Sequence, residues 1–482
     1  MYKFLPEEVT KGMIVLKFGG TSVGTTESLQ NVKSIVESLD SDAVVVVSAL
    51  GGLTDRLIAT AKKAASGDST YIEDFEAMAK RHYDIIEDVV TPDVRRSTLS
   101  AIQPLLNELR RLYDGVSLIA DLPERTLAQI VSLGERMSSV IVADMIPAAR
   151  HENSLDIIRT EKWFDKNIAS TELTERLIRE HLSEGPYPII MGGFISSDKD
   201  TGEITNLGRG GSDYTAALVA AALDAEVLEI WTDVDGFLTA DPRVVPNARV
   251  IDEMSFVESM DLCTFGAKVI YPPTIYPVFH KNIPIRILNT HSPDAPGTLI
   301  SDHSSANAAG CDGMTNGSPA PQQDRIVAGI SALKDEALIT LRGRFASDAA
   351  KISSRAFNAL SLKGLSPHLI PTCDSINSFS FVVAGSEAMQ AVRLLKEEFA
   401  PELVDNSLEV IEMTRGLASL AAVGDNLRTV PSMSRKLEGE LEKSGIRVIG
   451  TANKSSETNI AFIIEEADVT PALKALHAAI FE

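Results

Sequence analysis

The feature that most constrains this 482-residue chain lies near its start: Val15-Leu16-Lys17-Phe18-Gly19-Gly20-Thr21-Ser22-Val23-Gly24. The apolar run before Lys17 predicts a buried strand, and the residues after it predict a loop leading to a helix near Glu27, capped by Thr21 or Ser22. Glycines at such a junction let backbone N–H groups approach a phosphate, and the helix N-terminus adds partial positive charge. An ordinary strand-to-helix turn is the alternative. The length of the motif and its companions downstream favour phosphate binding.

Two common phosphate-binding motifs are missing from the sequence. It contains no G-x-x-x-x-G-K-[ST], and no strand-bound G-x-G-x-x-G with an acidic partner. These absences argue against a P-loop NTPase, a protein kinase and a Rossmann dehydrogenase.

Composition excludes several classes of function. The chain is long enough for at least two cores, and its net charge of −22 disfavours nucleic acid and anionic membranes as partners. Cys263, Cys311 and Cys373 lack the spacing of a metal site or a disulfide framework. There is no apolar leader segment and no apolar run of membrane-spanning length. We therefore expect a cytoplasmic protein with reduced thiols.

Several predicted strands end in small polar residues. A continuous β-branched run covers residues 43–47 before Ser48, Pro188–Ile195 contains Gly192-Gly193, and Val227–Trp231 forms a fourth strand. Strands of this kind are covered on both faces in parallel sheets, and ligands bind beyond their carboxyl ends. We predict an α/β fold with an open, mostly parallel sheet.

A second predicted anion site is Gly208-Arg209-Gly210-Gly211-Ser212-Asp213, which precedes an Ala-rich helix over Thr215–Leu223. Its amides, its guanidinium and a capping Ser or Asp suit a bound anion, and a structural turn would not need the arginine. Glu135, within a helix predicted over Leu127–Met145, is by itself more typical of a surface carboxylate.

Two later motifs carry further charge. The acidic loop Thr232–Arg243 has cation binding as one interpretation, although it lacks EF-hand spacing. Gly266-Ala267-Lys268 supplies another glycine and lysine close together.

The C-terminal part has a different organisation. Residues 301–325 are rich in Ser, Asn, Ala, Gly, Pro and Gln and predict a linker after a first domain of residues 1–300. Residues 326–404 and 405–482 then repeat a β-α-β-β-α pattern without catalytic clusters. The stretches Ile326–Leu341 and Leu408–Val423 each contain two strand-like runs, and a further strand is predicted at Pro367–Pro371. The two repeats resemble ACT domains, which bind amino acids in regulated biosynthetic enzymes.

The whole chain resembles the aspartate kinases of the amino-acid kinase superfamily. The phrases Trp231–Gly236 and Arg415–Ala418 are most similar to the kinase half of bifunctional aspartokinase–homoserine dehydrogenases. Because the chain ends at Glu482 and has no dinucleotide fingerprint, we expect a kinase alone. The resemblance implies an amino-acid kinase fold, with a sheet between helical layers, followed by two ACT-like domains.

The resemblance also implies roles for individual residues. The catalytic set is Lys17, Asp213 and Lys268. The aspartate-binding set is Ser48, Thr54, Glu135, Phe194, Arg209, Ser212 and Asp213. The nucleotide-binding set is Lys17, Gly19, Gly20, Thr21, Ser22, Thr232, Asp233, Leu238, Arg243, Gly266, Lys268 and Val269. ATP is the expected co-substrate, with Mg²⁺. Relatives often carry tyrosine at the place of Leu238.

The chemistry suggests how these residues divide the work. Arg209 suits the substrate α-carboxylate and Glu135 the α-ammonium, whereas Asp213 could orient either Lys17 or the substrate amine. Two other functions remain possible: a catalytically inactive amino-acid sensor on the same fold, and a kinase for another acid such as glutamate or carbamate.

Paired ACT-like domains imply an amino-acid effector and a homodimer. Lysine-sensing relatives carry a carboxylate at the place held here by His368, which cannot replace it. Thr372, Ser375 and Asn453 lie on the matching turns and suit the hydroxyl of threonine. We therefore expect threonine, with lysine as the alternative.

Overall fold

The computed structural model describes residues 12–163, 166–302, 325–343, 349–371, 378–427, 430, 432–453 and 458–482. The first compact unit comprises the described residues of Met1–Phe237 and Val269–Ala306. The second comprises those of Leu238–Lys268 and Asn307–Glu482. The predicted linker therefore lies almost entirely outside the described residues. The segment Leu238–Lys268, which the sequence assigned to the first domain, groups with the C-terminal part.

The described residues of the two units form the following strands and helices. The strands are β1 (Met13–Phe18), β2 (Asp42–Val47), β3 (Arg150–Glu152), β4 (Arg159–Trp163), β5 (Lys166–Ala169), β6 (Ile189–Gly192), β7 (Ile195–Asp198), β8 (Ile204–Asn206), β9 (Val227–Thr232), β10 (Glu253–Met254), β11 (Ile285–Asn289), β12 (Thr298–Ile300), β13 (Gly329–Gly343), β14 (Ser378–Ala384), β15 (Leu408–Val423), β16 (Gly450–Asn453) and β17 (Asn459–Glu465). The helices are α1 (Thr26–Glu37), α2 (Leu53–Ala65), α3 (Tyr71–Val89), α4 (Pro92–Ile119), α5 (Glu124–Met145), α6 (Ser154–Ile157), α7 (Thr171–Leu182), α8 (Gly211–Ala222), α9 (Phe256–Thr264), α10 (Tyr276–Phe279), α11 (Ala349–Ser361), α12 (Ala388–Glu398), α13 (Ala400–Val404), α14 (Met433–Lys443) and α15 (Val469–Phe481).

The main sheet of the first unit places β1 at its centre. Seven of its strands lie in the order β12-β11-β9-β1-β2-β6-β3, all parallel except β12. Alternate residues of β1 and β2, such as Leu16 and Val45, are buried with helices α1–α5, whereas α8 packs against β1, β2 and β9. Because successive side chains of a strand point to opposite faces, helices cover both faces of the sheet. The predicted open, mostly parallel sheet between helical layers is confirmed.

A smaller sheet in the same unit has the order β5-β4-β7-β8. It corrects one strand prediction. The strand predicted over residues 188–195 ends at Gly192 as β6, and Ile195 is the first residue of β7, which belongs to a different sheet. The chain turns between them at Phe194, whose φ of 66° lies in the left-handed region. A residue in that conformation cannot continue a β-strand.

Two helix starts also differ from the prediction. Thr25, not Thr21 or Ser22, caps α1 and forms a capping box with Ser28. Helix α8 begins at Gly211, four residues before the predicted start, because its N-cap Gly210 adopts a φ of 69° that ends the preceding loop.

The second unit contains an antiparallel sheet in the order β14-β13-β15-β17-β16. Each predicted repeat contributes its first strand, β13 or β15, to the middle of this sheet. The sequence predicted two short strands in each of these places, but each is one long strand, with register shifts between them near Leu333 and Glu336.

Two separate cores lie on this sheet, one with α11 and α12 and one with α14 and α15. The strand predicted at Pro367–Pro371 is reduced to a single bridge between Leu369 and Val382, because its two prolines have no N–H to donate. None of the described helices is both long and apolar enough to cross a membrane.

The contact between α5 and the loop after β2 allows a stability test. A Cβ on Gly134 would lie 2.8 Å from Ala49 Cβ and 3.4 Å from Leu57 Cδ1. We expect Gly134→Ala to lower the free energy of unfolding by about 1–3 kcal/mol through overpacking. Urea denaturation measures the change.

A matched control lies in helix α4. A Cβ on Gly115 would meet no atom within 4 Å, so Gly115→Ala is expected to stabilise the protein by about 0.5–1 kcal/mol through helix propensity. If Gly134→Ala were as stabilising as Gly115→Ala, the close approach at Gly134 would be refuted.

Candidate active site

A pocket of about 350 Å³ opens in the first unit at the carboxyl ends of β1, β2 and β6. The predicted site residues that line it are Lys17, Gly20, Ser48, Thr54, Glu135, Phe194, Ser212 and Asp213. These residues come from five separate stretches of sequence. They meet because parallel strands present their carboxyl ends at one edge of the sheet.

Lys17 and Asp213 form an ion pair in this pocket. Lys17 lies near the end of β1, and Asp213 lies in the first turn of α8. Their Nζ and Oδ1 atoms are 2.7 Å apart, and the two side chains are 12% and 11% exposed. Asp213 Oδ1 has no hydrogen-bond partner among the described residues, so its contact with Lys17 is chiefly electrostatic. Of the two roles that the sequence left open for Asp213, the structure contains the contact with Lys17.

Helices α2 and α8 both begin at the pocket. Their N-caps are Gly52 and Gly210, with φ of 72° and 69°, and neither helix has a side chain that caps its first amides. Uncapped N–H groups and the helix dipole favour an anion at such a position. Helix α1, in contrast, is capped by Thr25. The partial positive charge that the sequence assigned to the helix after Gly19-Gly20 therefore comes from α2 and α8.

Glu135 lies on α5 and is 4% exposed. Its Oε2 atom has no hydrogen-bond partner among the described residues. Burial raises the pKa of Glu135 to about 8, against a backbone hydrogen bond from Ala49 that lowers it. The sequence taken alone favoured a surface carboxylate, and that interpretation is wrong. A buried carboxyl with a free oxygen is suited to receive a cationic group from a ligand.

Small polar groups complete the wall between β2 and α8. Ser48 Oγ donates to Ser212 Oγ at 3.0 Å, and Ser138 Oγ donates to the carbonyl oxygen of Ser48 at 2.7 Å. The N–H of Phe194 donates to Thr215 Oγ1 at 3.1 Å, which supports its left-handed backbone. Sequence reasoning missed Ser138. Its position one helical turn after Glu135 was the available indication.

Arg209 does not line the pocket, although its neighbours Gly208 and Gly210 do. Its side chain is exposed, and its guanidinium carbon lies 5.5 Å from the ring centre of Tyr271. This distance is that of a cation–π contact. Tyr271 was also missed, although it closely follows the Gly266-Ala267-Lys268 motif.

The rest of the first loop is held by β9 and by the turn after β11. The N–H of Gly19 donates to the carbonyl oxygen of Trp231 at 3.1 Å. Ser22 is fully buried, and its Oγ lies 2.7 Å from Thr290 Oγ1 and also donates to Trp231 O. The Ser22 hydroxyl thus anchors the loop, whereas Thr21 is exposed.

The remaining predicted nucleotide-binding residues are divided between the two compact units. Thr232, Asp233 and Val269 belong to the first, and Leu238, Arg243, Gly266 and Lys268 to the second. Thr232 Oγ1 donates to Asp233 Oδ1 at 3.2 Å.

Within the second unit these residues have distinct surroundings. Leu238 forms a backbone bridge with Val250, and Arg243 pairs with Asp241 at 2.8 Å. Gly266 has a φ of 114°, and a Cβ there would lie 2.4 Å from the carbonyl oxygen of Ala332 in β13. The loop that carries Gly266 and Lys268 therefore packs against β13 in the antiparallel sheet of the second unit.

Of the predicted effector residues, only His368 can be assessed. Thr372 and Ser375 lie outside the described residues, as does the side chain of Asn453. The Nε2 atom of His368 pairs with Glu336 Oε1, and Ser419 Oγ donates to Glu336 Oε2. Glu336 is 1% exposed. A carboxylate therefore lies beside His368, but both of its oxygens are already bonded.

Comparison with known proteins agrees with this architecture. Residues 12–289 match the amino acid kinase family, and residues 339–399 and 420–480 match the ACT domain. Lysine-sensitive aspartokinase 3 of Escherichia coli is 31% identical over 483 residues, which cover 98% of this chain and 99% of the relative.

The chain belongs to the aspartokinase family. The prediction of an aspartokinase with C-terminal ACT domains is thus confirmed. The bifunctional aspartokinase/homoserine dehydrogenase of Haemophilus influenzae is 32% identical over 481 residues, or 97% of this chain. The chain spans about half the length of that relative, 56%. The crystal structure of E. coli aspartokinase III with aspartate and ADP, in its R-state, superposes with a TM-score of 0.80 at 28% identity, covering 98% of this chain and 100% of that one.

The raised pKa of Glu135 predicts how the stability of the folded protein depends on pH. The pKa is about 8 in the folded protein against 4.5 ordinarily. As pH rises from about 4.5 to 8, the unfolded chain ionises at this position and the folded protein does not, so folding loses stability. Glutamine stays neutral and avoids this loss. We expect Glu135→Gln to be as stable as the wild type near pH 4.5 and more stable by about 2–5 kcal/mol at pH 8.

Thermal denaturation between pH 5 and pH 8.5 measures this difference. Glu76→Gln, on the exposed surface of α3, is the control and is expected to follow the wild type at each pH. If Glu135→Gln gained no stability relative to the wild type as the pH rose, the assigned burial of Glu135 would be contradicted.

Proposed function

We propose that this chain transfers the γ-phosphoryl group of ATP to the side-chain carboxylate of L-aspartate, producing 4-phospho-L-aspartate and ADP. The observation that carries the proposal is one pocket containing Lys17, two uncapped helix N-termini and buried Glu135. A pocket with cationic ends and one carboxyl suits a ligand with two negative groups and one ammonium. The aspartate and ADP bound to E. coli aspartokinase III support it.

Glu135 is the proposed partner of the substrate α-ammonium. Because its carboxyl is buried, an incoming ammonium would favour ionisation and gain a short ion pair. The hydroxyls of Ser48, Thr54 and Ser212 supply hydrogen bonds around it, and Phe194 supplies an apolar wall. Arg209 remains the proposed partner of the α-carboxylate, which requires its guanidinium to leave the ring of Tyr271.

The reaction needs little acid–base chemistry from the protein. The aspartate side chain has an ordinary pKa near 3.9, so it is an anionic nucleophile at neutral pH and requires no general base. One of its oxygens attacks the γ-phosphorus while the bond to the bridging β,γ-oxygen breaks, and ADP leaves with that electron pair. Catalysis therefore consists of alignment and charge neutralisation. Lys17, Lys268 and the amides of Gly19 and Gly20 are the proposed neutralising groups.

Magnesium is proposed to enter with ATP. The described residues contain no cluster of three His, Cys, Asp or Glu side chains arranged to hold a metal. This fits a cation held mainly by the phosphates of ATP, with one or two carboxylates added by the protein. Bound there, Mg²⁺ supplies positive charge to the phosphates. The proposed nucleotide contacts outside the pocket are Thr232, Asp233, Leu238, Arg243, Gly266, Lys268 and Val269.

An ADP-release assay over a panel of amino acids tests the activity. We expect release with aspartate and MgATP, and none with glutamate or carbamate, because a longer or ammonium-free acid cannot satisfy Glu135 and the anion sites together. Release with another acid alone would assign a different substrate. No release with any of them would favour the amino-acid sensor.

Within the same assay, Lys17→Ala and Lys268→Ala are expected to lower kcat by about 10²-fold each, because one electrostatic contact to a transition state is commonly worth on the order of 3 kcal/mol. Lys62→Ala, on the exposed side of α2, is the control and should retain wild-type turnover. Near-full turnover with only a raised KM for aspartate would show that the lysine binds the substrate and does not stabilise the transition state.

For regulation, we propose threonine as the effector bound by the ACT repeats. A lysine effector needs a free carboxylate for its second ammonium, since an unpaired buried charge is costly. The carboxylate nearest His368 is that of Glu336, which is already bonded to His368 and Ser419. The lysine-sensitive relative makes lysine the alternative.

Titrating each amino acid into the kinase assay tests the effector. Threonine is expected to inhibit at concentrations where lysine has little effect. Inhibition by lysine without inhibition by threonine would overturn the proposal.

We also propose that the protein is cytoplasmic and forms a homodimer through its ACT domains. Light scattering should then give twice the mass of one chain.

A further inference from the structure

Arg81, a half-buried residue of α3, donates hydrogen bonds to two separate loops of the first unit. Its Nη1 donates to the carbonyl oxygen of Gly51 at 2.9 Å, and its Nη2 donates to that of Gly24 at 2.7 Å. Gly24 directly precedes the N-cap of α1, and Gly51 directly precedes the N-cap of α2. One planar guanidinium therefore holds the starts of two helices.

The two loops also touch each other, through backbone atoms. A Cβ on Gly51 would lie 2.9 Å from the carbonyl oxygen of Gly20, and a Cβ on Gly24 would lie 3.0 Å from the same oxygen. Gly20 and Gly52 both line the pocket. The first loop is the proposed phosphate site, and the second leads to Thr54 in the proposed aspartate site. Their separation thus sets how closely the two reacting groups approach.

The surroundings of Arg81 are unusual for a surface arginine. No ion pair of Arg81 occurs within the described part of the chain, whereas its neighbour Lys80 pairs with Asp84 at 2.6 Å. Burial, together with the positive charge of Arg56, lowers the pKa of Arg81. The guanidinium exchanges hydration for two carbonyl oxygens, and its planar fork of donors fixes the geometry between them. The single ammonium of lysine lacks that planar fork.

We propose that Arg81 is a positioning residue that fixes the distance between the phosphate loop and the aspartate loop. The inference rests on the proposed aspartate kinase activity. A displacement of about 1 Å between reacting groups can lower a rate on the order of 10²-fold. Each substrate also has proposed partners outside these two loops, such as Glu135 for aspartate and Thr232 for ATP, so its own affinity is expected to change little when the tie between the loops is lost.

The test compares Arg81→Met and Arg81→Lys with the wild type. Both are expected to lower kcat by about 10- to 100-fold, with the Kd of aspartate and of a non-hydrolysable ATP analogue each within about threefold of the wild type. Arg56→Met is the control, because Arg56 is exposed on α2 and its charge reaches Arg81. It should retain wild-type kcat.

An unchanged kcat in the Arg81 variants, or a loss confined to the two Kd values, would overturn the proposal. An equal loss in Arg56→Met would show that charge alone matters and would also overturn it. If Arg81→Met does not fold, Arg81→Lys decides, since it keeps the charge and loses the fork.

Amide hydrogen exchange separates this inference from the proposed activity. In Arg81→Met, amide exchange is expected to be faster than in the wild type at residues 19–24 and at residues 49–54. Exchange in α5 is expected to be unchanged. Unchanged exchange in both loops would refute the tie whatever the activity. A wild type that releases no ADP, combined with faster exchange in the variant, would refute only the proposed function.

Discussion

The first unit depends on an ion pair between the end of its central strand and the start of a helix. Lys17 and Asp213 lie 196 positions apart in the chain, yet their charged atoms are 2.7 Å apart at the edge of the sheet. Each charge would be costly in this position without the other, because both side chains are nearly covered. The pair thus ties the first turn of α8 to the end of β1, and the remaining pocket residues lie around that junction.

Glu135 illustrates the opposite principle in the same pocket. Burial raises the pKa of its carboxyl to about 8, so the folded protein keeps this group mostly neutral near pH 7. A ligand that brings an ammonium supplies the missing charge, and the free energy lost in burying the carboxyl is recovered on binding. The protein itself pairs the charge of Lys17 with that of Asp213, whereas the carboxyl of Glu135 would gain a charged partner from a ligand. This contrast favours substrates that carry both signs of charge.

Much of the fold was predictable from the sequence because the strands are continuous apolar runs that end in glycine and small polar residues. The same endings located Lys17, Ser48 and Ser212 at one edge of the sheet. The burial of Glu135 was not predictable, because a helix position is buried or exposed according to what packs on it, and its neighbour Gly134 contacts a loop more than 80 residues away. The contacts of Arg81 were not predictable either, because its partners are backbone carbonyl oxygens, which leave no pattern in the sequence. The split of Pro188–Ile195 into two strands depends on the left-handed backbone of Phe194, which no propensity of phenylalanine indicates.

The close contact of Gly266 with Ala332 has a consequence for engineering this protein. Ala332 lies in strand β13. This strand belongs to the antiparallel sheet of the second unit and also contacts the loop that carries Gly266 and Lys268. Ser331, the preceding residue, also donates to the carbonyl oxygen of Phe265 at 2.6 Å. Substitutions in this part of β13 will therefore disturb the position of that loop as well. If the proposed roles of Lys268 and of the ACT repeats hold, effector response and turnover will change together there, and variants should be measured for both.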